Sequence, residues 1–188
     1  MINLTTSRLT IRPFELGDLD AIHAVLDGED SGGLAQRREW LEWTVRNYSA
    51  LEKLQQPPYG DLAVVVRAEN KLIGSVGLVP LLAPFGLLQA FRPMNAAPDP
   101  RFTTEMGIFY HIKPERRFNQ FASEAAGALV NFAFLQLNLK RLVATTHHDN
   151  LASMTVMRKL GMHIEFNPYD EPRWFQVIGI REAEITPV

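Results

Sequence analysis

The chain of 188 residues has no cysteine, which excludes disulfide bonds, thiolate metal ligands and a cysteine nucleophile. It also lacks any apolar run approaching the roughly 20 residues that a helix needs to cross a bilayer, so no membrane association is predicted. Acidic and basic residues are interspersed, with a formal net charge of -2 and no basic stripe. We therefore expect no nucleic-acid partner.

The N-terminal segment MINLTTSRLTIRPF lacks a charged region followed by an apolar one, so it is not typical of a signal peptide. We therefore expect a soluble, cytoplasmic protein. Hydrophobic residues make up 46% of the chain, which is enough to form a full core. A single domain over residues 1–188 is the prediction that follows.

Hydrophobic periodicity predicts a mixed α/β fold with the element order βααβββαβαββ. Asp18 is the predicted N-cap of the first helix, and a flexible break is predicted over residues 28–33. The predicted strands are residues 7–14, 62–66, 71–79, 103–112, 141–146, 162–166 and 174–180. The other predicted helices are residues 34–54, a long helix from about residue 119, and residues 150–160.

Residues 80–102 form a long insertion that contains five prolines and scattered apolar side chains. Loops of this length are uncommon in compact domains and tend to be functional or disordered. Because of the apolar content, we expect the insertion to pack against something. A substrate-side flap and a contact in a homodimer are the two alternatives.

Residues 103–137 read as a strand, a short polar turn and a long helix, and Pro114 ends the strand. Arg116 and Arg117 stand in the turn, beside the start of the helix. The unpaired N–H groups and the positive dipole end of a helix N-terminus suit a phosphate group. We therefore predict a cofactor site here; solvated surface charges are the plainer alternative.

Three segments carry a resemblance to a known family: SRLTIRPFELGD, TEMGIFYHIKPERRFNQFASEAA and DNLASMTVMRKLGM. Together they resemble the Gcn5-related N-acetyltransferases, and more narrowly the branch that includes the ribosomal-protein N-terminal acetyltransferases. The resemblance covers the chain from about Arg8 to Glu182. It implies a central, mixed and mostly antiparallel sheet flanked by helices, in one N-acetyltransferase domain with its core at about residues 8–182.

The activity implied by the resemblance is transfer of an acetyl group from acetyl-CoA, as co-substrate, to a primary amine by direct attack. The amine belongs either to a protein N-terminus or to a small molecule. The family's pyrophosphate loop falls between Arg117 and Ala122 here, and the implied cofactor-binding residues extend somewhat beyond it. They are Tyr110, Ile112, Arg116, Arg117, Phe118, Asn119, Gln120, Phe121, Ala122 and Asn150.

Phe118 and Gln120 stand in this loop where the family commonly has glycine. Glycine lets backbone N–H groups approach the phosphates without a Cβ in the way, so these two side chains are expected to crowd the approach. This departure motivates a second hypothesis, a non-catalytic module of the same fold that binds acyl-CoA weakly or not at all.

The resemblance also implies catalytic roles for two residues. Glu105 would accept the proton of the amine, and Ser153 would donate a proton to the departing thiolate. Backbone N–H groups around Tyr110 to Ile112 would stabilise the oxyanion. The plainer alternatives are a polar residue at a strand start for Glu105 and helix capping for Ser153.

The remaining alternatives concern ligands of other kinds. His147 and His148 suggest a metal, but adjacent histidines cannot easily face one ion, so we predict a loop and no metal site. A nucleotide-binding protein is a third hypothesis, and the chain lacks the glycines and the Lys-Ser/Thr pair of a P-loop. The acceptor amine stays open between a protein N-terminus and a small molecule.

Overall fold

A computed structural model describes residues 1–26, 33–169 and 171–184. They divide into two compact units, the first formed by Met1–Leu78 and Phe109–Phe132, the second by Val79–Ile108 and Ala133–Val188. The strands are β1 Leu4–Thr5, β2 Leu9–Pro13, β3 Gly60–Val66, β4 Lys71–Ala83, β5 Thr103–Ile112, β6 Arg141–Thr146, β7 His163–Phe166 and β8 Val177–Glu182. The helices are α1 Leu19–Leu26, α2 Gly33–Lys53, α3 Phe121–Leu135 and α4 Leu151–Lys159.

In the first unit, β1, β2, β3 and the beginning of β4 pair in that order, all antiparallel. The end of β5 continues the sheet beside β4, and the Lys113 N–H donates to the Ile73 carbonyl at 2.9 Å. A Cβ at Gly74 would lie 2.2 Å from the carbonyl oxygen of His111, so only glycine permits this approach. Helices α1 and α2 cover one face of the sheet with Ile22 and Leu41.

In the second unit, β6 pairs antiparallel with β8 along six positions, and β8 pairs antiparallel with β7. Strand β5 runs parallel to β6, and Gly107 lies opposite Val143. Phe85 and Leu88 of the insertion are buried against Phe175 and Ile178. The expectation that the insertion packs against something is therefore confirmed.

The beginning of the insertion needs a correction. Residues 80–83, predicted as the start of a loop, continue β4 to Ala83. The predicted strand ended at Val79, directly before the insertion with its five prolines. Proline's fixed φ nevertheless fits extended backbone, and the strand continues through it.

Asp18 also differs from its prediction as a helix N-cap. It ends a 3-10 turn, Leu16–Asp18, just before α1, and its carboxylate accepts hydrogen bonds from Arg12 at 2.7 and 2.8 Å and from the Glu15 N–H at 2.9 Å. Burial alone would raise the pKa of Asp18, but these hydrogen bonds outweigh it and the pKa is lowered. The carboxylate thus ties the end of β2 to the turn.

The predicted fold class is confirmed: helices and a mixed, mostly antiparallel set of strands follow each other in the predicted order, with the two-residue β1 added before it. The predicted break at residues 28–33 lies, up to residue 32, outside the described residues. The single domain stays a prediction.

Candidate functional site

The strand, turn and helix that the sequence singled out are present. Strand β5 ends at Ile112, a 3-10 turn covers Pro114–Arg116, and α3 begins at Phe121. Pro114 occupies the first position of the turn, where its missing N–H costs nothing. The helix begins two residues later than predicted because the backbone of the preceding residues is not helical.

Phe118 and Gln120 have left-handed backbone, with φ of 62° and 64°. A non-glycine residue rarely takes this conformation, and each instance costs on the order of 1–3 kcal/mol. These are the two positions where the resemblance expects glycine. The loop therefore keeps a backbone conformation that glycine favours, although it carries two larger residues there.

Contacts from the N-terminal segment hold this loop in place. Arg8 donates to the Asn119 carbonyl at 3.0 Å and to the Glu124 carboxylate at 2.7 Å, and its guanidinium lies 4.5 Å from the centroid of the Phe121 ring. Thr6 also donates to Glu124, at 2.6 Å. Burial opposes ionisation of Glu124, but these hydrogen bonds outweigh it and lower its pKa.

The two arginines of the turn differ in their partners. The Arg116 guanidinium makes two hydrogen bonds to the carboxylate of Glu69, and this pairing lowers the pKa of Glu69. Arg117 donates from Nε to the Ile112 carbonyl at 3.1 Å, which folds its side chain back along the end of β5. The charge of Arg116 is therefore balanced locally by a carboxylate.

These residues fit a pyrophosphate group. The N-terminus of α3 supplies backbone N–H groups, and Arg117 supplies a cation two residues before Asn119, whose side-chain amide donates to the Arg117 carbonyl at 3.0 Å. Two carboxylates near the loop are paired, Glu69 with Arg116 and Glu124 with the N-terminal segment. The donor set is cationic and rich in N–H groups, as a phosphate requires.

In the second unit, Asn150 caps α4: its side-chain oxygen accepts from the Ser153 N–H at 3.0 Å. Gly161 follows the helix with φ of 72°, the expected left-handed residue after a helix end. Both residues thus have structural roles at the ends of α4.

Glu105 lies near the start of β5 and accepts a hydrogen bond from Arg141 at 2.9 Å. Arg141 begins β6, also donates to Glu182 at 2.6 Å, and has its guanidinium 4.5 Å from the centroid of the Phe91 ring. Burial opposes the charge of Arg141, yet the two carboxylates outweigh burial and raise its pKa. Glu105 is therefore an ion-paired residue whose position is fixed by β6.

Tyr110 and Ile112 lie near the end of β5, after Gly107, the residue opposite Val143 of β6. They belong to the first unit, as does the loop from Arg116 to Ala122, whereas Glu105, Asn150 and Ser153 belong to the second. The structure thus places the predicted site residues in two groups.

The two neighbouring histidines have separate partners. His147 Nδ1 lies 3.3 Å from the Arg173 carbonyl, and the His148 ring stacks on Phe166 with the centroids 5.9 Å apart. No group of three side chains able to hold a metal ion occurs among the described residues. The two imidazoles therefore act here as a hydrogen-bonding and a stacking group.

Sequence analysis missed three residues that organise these groups: Arg8, Glu124 and Arg141. Arg8 and Glu124 are 116 residues apart in the chain, and Arg141 and Glu105 are 36 apart. The one available signal was a charged residue at the start of the otherwise apolar strand RLVATT. It indicates a polar partner without identifying it.

Comparison with known proteins places the chain in a family. The protein-family model described as the acetyltransferase (GNAT) domain matches residues 8–163 of this chain. The N-acetyltransferase YnaD of Bacillus subtilis (strain 168), itself uncharacterised, is 28% identical over 164 residues, which are 87% of this chain and 84% of YnaD. YoaA of the same organism, another uncharacterised N-acetyltransferase, is 30% identical over 166 residues, 86% of this chain and 83% of YoaA.

Solved structures agree in fold. A GNAT-family acetyltransferase from Bacillus anthracis superposes with a TM-score of 0.70 at 22% identity, covering 98% of this chain and 100% of that one. The ribosomal-protein-S5-alanine acetyltransferase from Vibrio fischeri superposes with a TM-score of 0.68 at 14% identity, covering 100% of both chains. The ribosomal L7/L12 acetyltransferase RimL in complex with coenzyme A superposes with a TM-score of 0.65 at 14% identity. The match covers 96% of this chain and 97% of RimL.

The fold and the family match define an acyl-CoA-dependent transferase. The chain belongs to the GNAT family of N-acetyltransferases, and its co-substrate is acetyl-CoA. The family prediction is therefore confirmed, and the enzyme is favoured over the non-catalytic module. Within the described residues, no helix is long and apolar enough to span a membrane.

Proposed function

We propose that this chain transfers the acetyl group of acetyl-CoA directly to a primary amine, carried by a protein N-terminus or by a small molecule. The observation that carries the proposal is the left-handed backbone at both Phe118 and Gln120, which keeps the loop in a conformation suited to phosphate. The chain has no cysteine, so a thioester intermediate on the protein is excluded.

The pyrophosphate would be held by Arg117 and by the backbone N–H groups from Phe118 to Ala122, with Asn119 and Gln120 adding side-chain amides. Arg117 has the leading part among the side chains because it occupies the first position of the family's pyrophosphate loop. Asn150, at the start of α4, would contact the pantetheine arm. In the helix cap, the side-chain oxygen of Asn150 accepts from the Ser153 N–H. The side-chain NH₂ group of Asn150 can therefore still donate hydrogen bonds.

In the reaction, the amine nitrogen attacks the thioester carbonyl carbon, and the carbon–sulfur bond breaks. Glu105 accepts the proton of the amine, through a water where needed, because one of its oxygens is already held by Arg141. The Ser153 hydroxyl donates a proton to the departing thiolate and regains one from solvent, and Glu105 releases to solvent the proton that it took from the amine. Backbone N–H groups at Tyr110 and Ile112 stabilise the negative charge on the carbonyl oxygen.

The first experiment measures release of the CoA thiol from acetyl-CoA with a panel of amines, N-terminal peptides and aminoglycosides. We expect acetylation of at least one acceptor, and a melting temperature that rises with acetyl-CoA and not with ATP. At 100 times its dissociation constant a ligand stabilises the fold by about 2.7 kcal/mol, or roughly 5–11 °C for a protein of this size. No thiol release and no shift with millimolar acetyl-CoA would contradict the proposal.

The side-chain roles are tested separately. Glu105→Gln is expected to lower kcat about 10²- to 10⁴-fold, the range for loss of a general base. Arg117→Ala is expected to weaken acetyl-CoA binding about ten- to a hundredfold, as loss of a charged hydrogen bond does. Arg116→Ala is the matched control, and an equal loss in both variants would contradict the leading part given to Arg117.

A further inference from the structure

Phe118 is the most exposed large apolar side chain among the described residues, with 96% of its surface accessible. An apolar ring in this position gains nothing from burial in the protein. It stands between Arg117 and Asn119, directly before the N-terminus of α3. A ring this exposed beside a ligand-binding loop has room for a ligand on its faces.

The backbone under this ring is both strained and fixed. An aromatic residue at φ of 62° is disfavoured, and such a conformation persists only where the surroundings determine it. Asn119 supplies part of that constraint, donating to the carbonyls of Arg116 and Arg117 at 3.3 and 3.0 Å. Arg8 adds a hydrogen bond to the Asn119 carbonyl at 3.0 Å. The loop therefore presents the ring in a defined place.

We infer that Phe118 is a stacking surface for the adenine ring of coenzyme A, an inference that rests on the proposed function. In coenzyme A the adenosine is attached to the pyrophosphate, so a pyrophosphate at the start of α3 brings the base within a nucleotide's length of residue 118. Nucleic-acid bases stack favourably on exposed aromatic rings, whatever the base. Glycine at this position would bind only through its backbone.

Phe118 and Gln120, which stand where the family commonly has glycine, have different roles. Gln120 lies next to Phe121, and its carbonyl accepts from the Glu124 N–H at 3.0 Å, so it belongs to the start of α3. Phe118 points outward and is accessible. Recognition of the cofactor is thereby extended from its phosphates to its nucleotide end.

The test compares two ligands that differ in the nucleotide. Dissociation constants of coenzyme A and of 4′-phosphopantetheine, which lacks the whole 3′-phospho-AMP part and so keeps one phosphate of the pyrophosphate, are measured by calorimetry on the full chain and on Phe118→Ala. Alanine keeps a Cβ, so the strain of the left-handed backbone is retained while the ring is removed. Phe102→Ala is the matched control, because Phe102 is also exposed, at 56%, and lies in the insertion.

Phe118→Ala is expected to weaken coenzyme A binding about 5- to 140-fold, the range for loss of one stacked base. Binding of 4′-phosphopantetheine is expected to change less than twofold, and Phe102→Ala to leave both constants unchanged. In a second readout, Phe118→Trp should show tryptophan fluorescence quenched by coenzyme A and not by 4′-phosphopantetheine.

An equal loss for both ligands, or no loss for either, would overturn the inference while leaving the proposed acetyl transfer intact. Absence of fluorescence quenching by coenzyme A in Phe118→Trp would also overturn the stacking inference and leave the proposed acetyl transfer intact. If the unmodified chain binds no coenzyme A at all, the proposed function fails together with the inference. Measuring the unmodified chain first separates the two failures.

Discussion

Asp61 is a carboxyl group whose ionisation opposes folding, and replacing it should stabilise the protein. It lies in β3, opposite Gly77 of β4, and its backbone carbonyl accepts a hydrogen bond from the Tyr48 hydroxyl at 2.5 Å. Burial raises its pKa from 3.8 to about 6, and the positive charge of Arg37 offsets this only in part. The carboxylate is therefore poorly solvated at neutral pH.

The sign of the effect follows from proton binding. Between the two pKa values the folded chain holds a proton that the unfolded chain has released, so the free energy of unfolding falls as pH rises through this window. Two pKa units at 1.36 kcal/mol each amount to about 3 kcal/mol. Below about pH 4 both states are protonated and the effect disappears.

We therefore expect Asp61→Asn to be more stable than the unmodified chain by about 3 kcal/mol at pH 7.5, with the difference vanishing near pH 4. Urea unfolding followed by circular dichroism at pH 4, 5, 6 and 7.5 measures it. Asp149→Asn, at an exposed turn position, is the control and should leave stability nearly unchanged at every pH. A variant less stable than the unmodified chain at pH 7.5, or a difference constant across pH, would refute the reasoning.

Three further substitutions test other parts of the fold by urea unfolding. Glu124→Gln should cost on the order of 2 kcal/mol at neutral pH, because its carboxylate accepts several donors. Since its pKa is lowered, that loss should shrink as pH falls below about 4. Gln120→Gly should stabilise by up to about 1 kcal/mol by relieving left-handed backbone. Tyr48→Phe should cost about 1–3 kcal/mol, since the hydroxyl bonds the Phe14 N–H and the Asp61 carbonyl.

Each of these three has an outcome that contradicts it. For Glu124→Gln, a loss independent of pH would mean that the charge contributes nothing. For Gln120→Gly, a loss of stability would show that the amide side chain contributes more than the backbone costs. For Tyr48→Phe, an unchanged stability would mean that water satisfies both backbone groups.

Local chemistry made several elements predictable from sequence alone. Strand β5 was predicted with its observed bounds because its Thr, Ile, Phe and Tyr residues favour strands and Pro114 stops it. The bounds of α4 follow from local chemistry, since Asn150 is a strong N-cap and Gly161 can take a positive φ. In these places the decisive interactions join residues four or fewer positions apart.

Other features depend on contacts that no local pattern encodes. Phenylalanine has no preference for left-handed backbone, so the conformation of Phe118 could be anticipated only from the family's glycine and not from the residue itself. The burial that perturbs Asp61 depends on the helices packed over β3. The partner of Glu105 depends on the parallel register that sets Gly107 opposite Val143.

The three partners of Arg141 affect how any result at Glu105 is interpreted. One guanidinium contacts Glu105, Glu182 and the Phe91 ring, so the three share a common neighbour. Truncating Glu105 to alanine would release that neighbour and disturb the insertion along with the proposed base, and the two losses would be recorded as one. A double-mutant cycle between Glu105 and Arg141 separates them, because only the part of the loss that remains when Arg141 is already absent belongs to proton transfer.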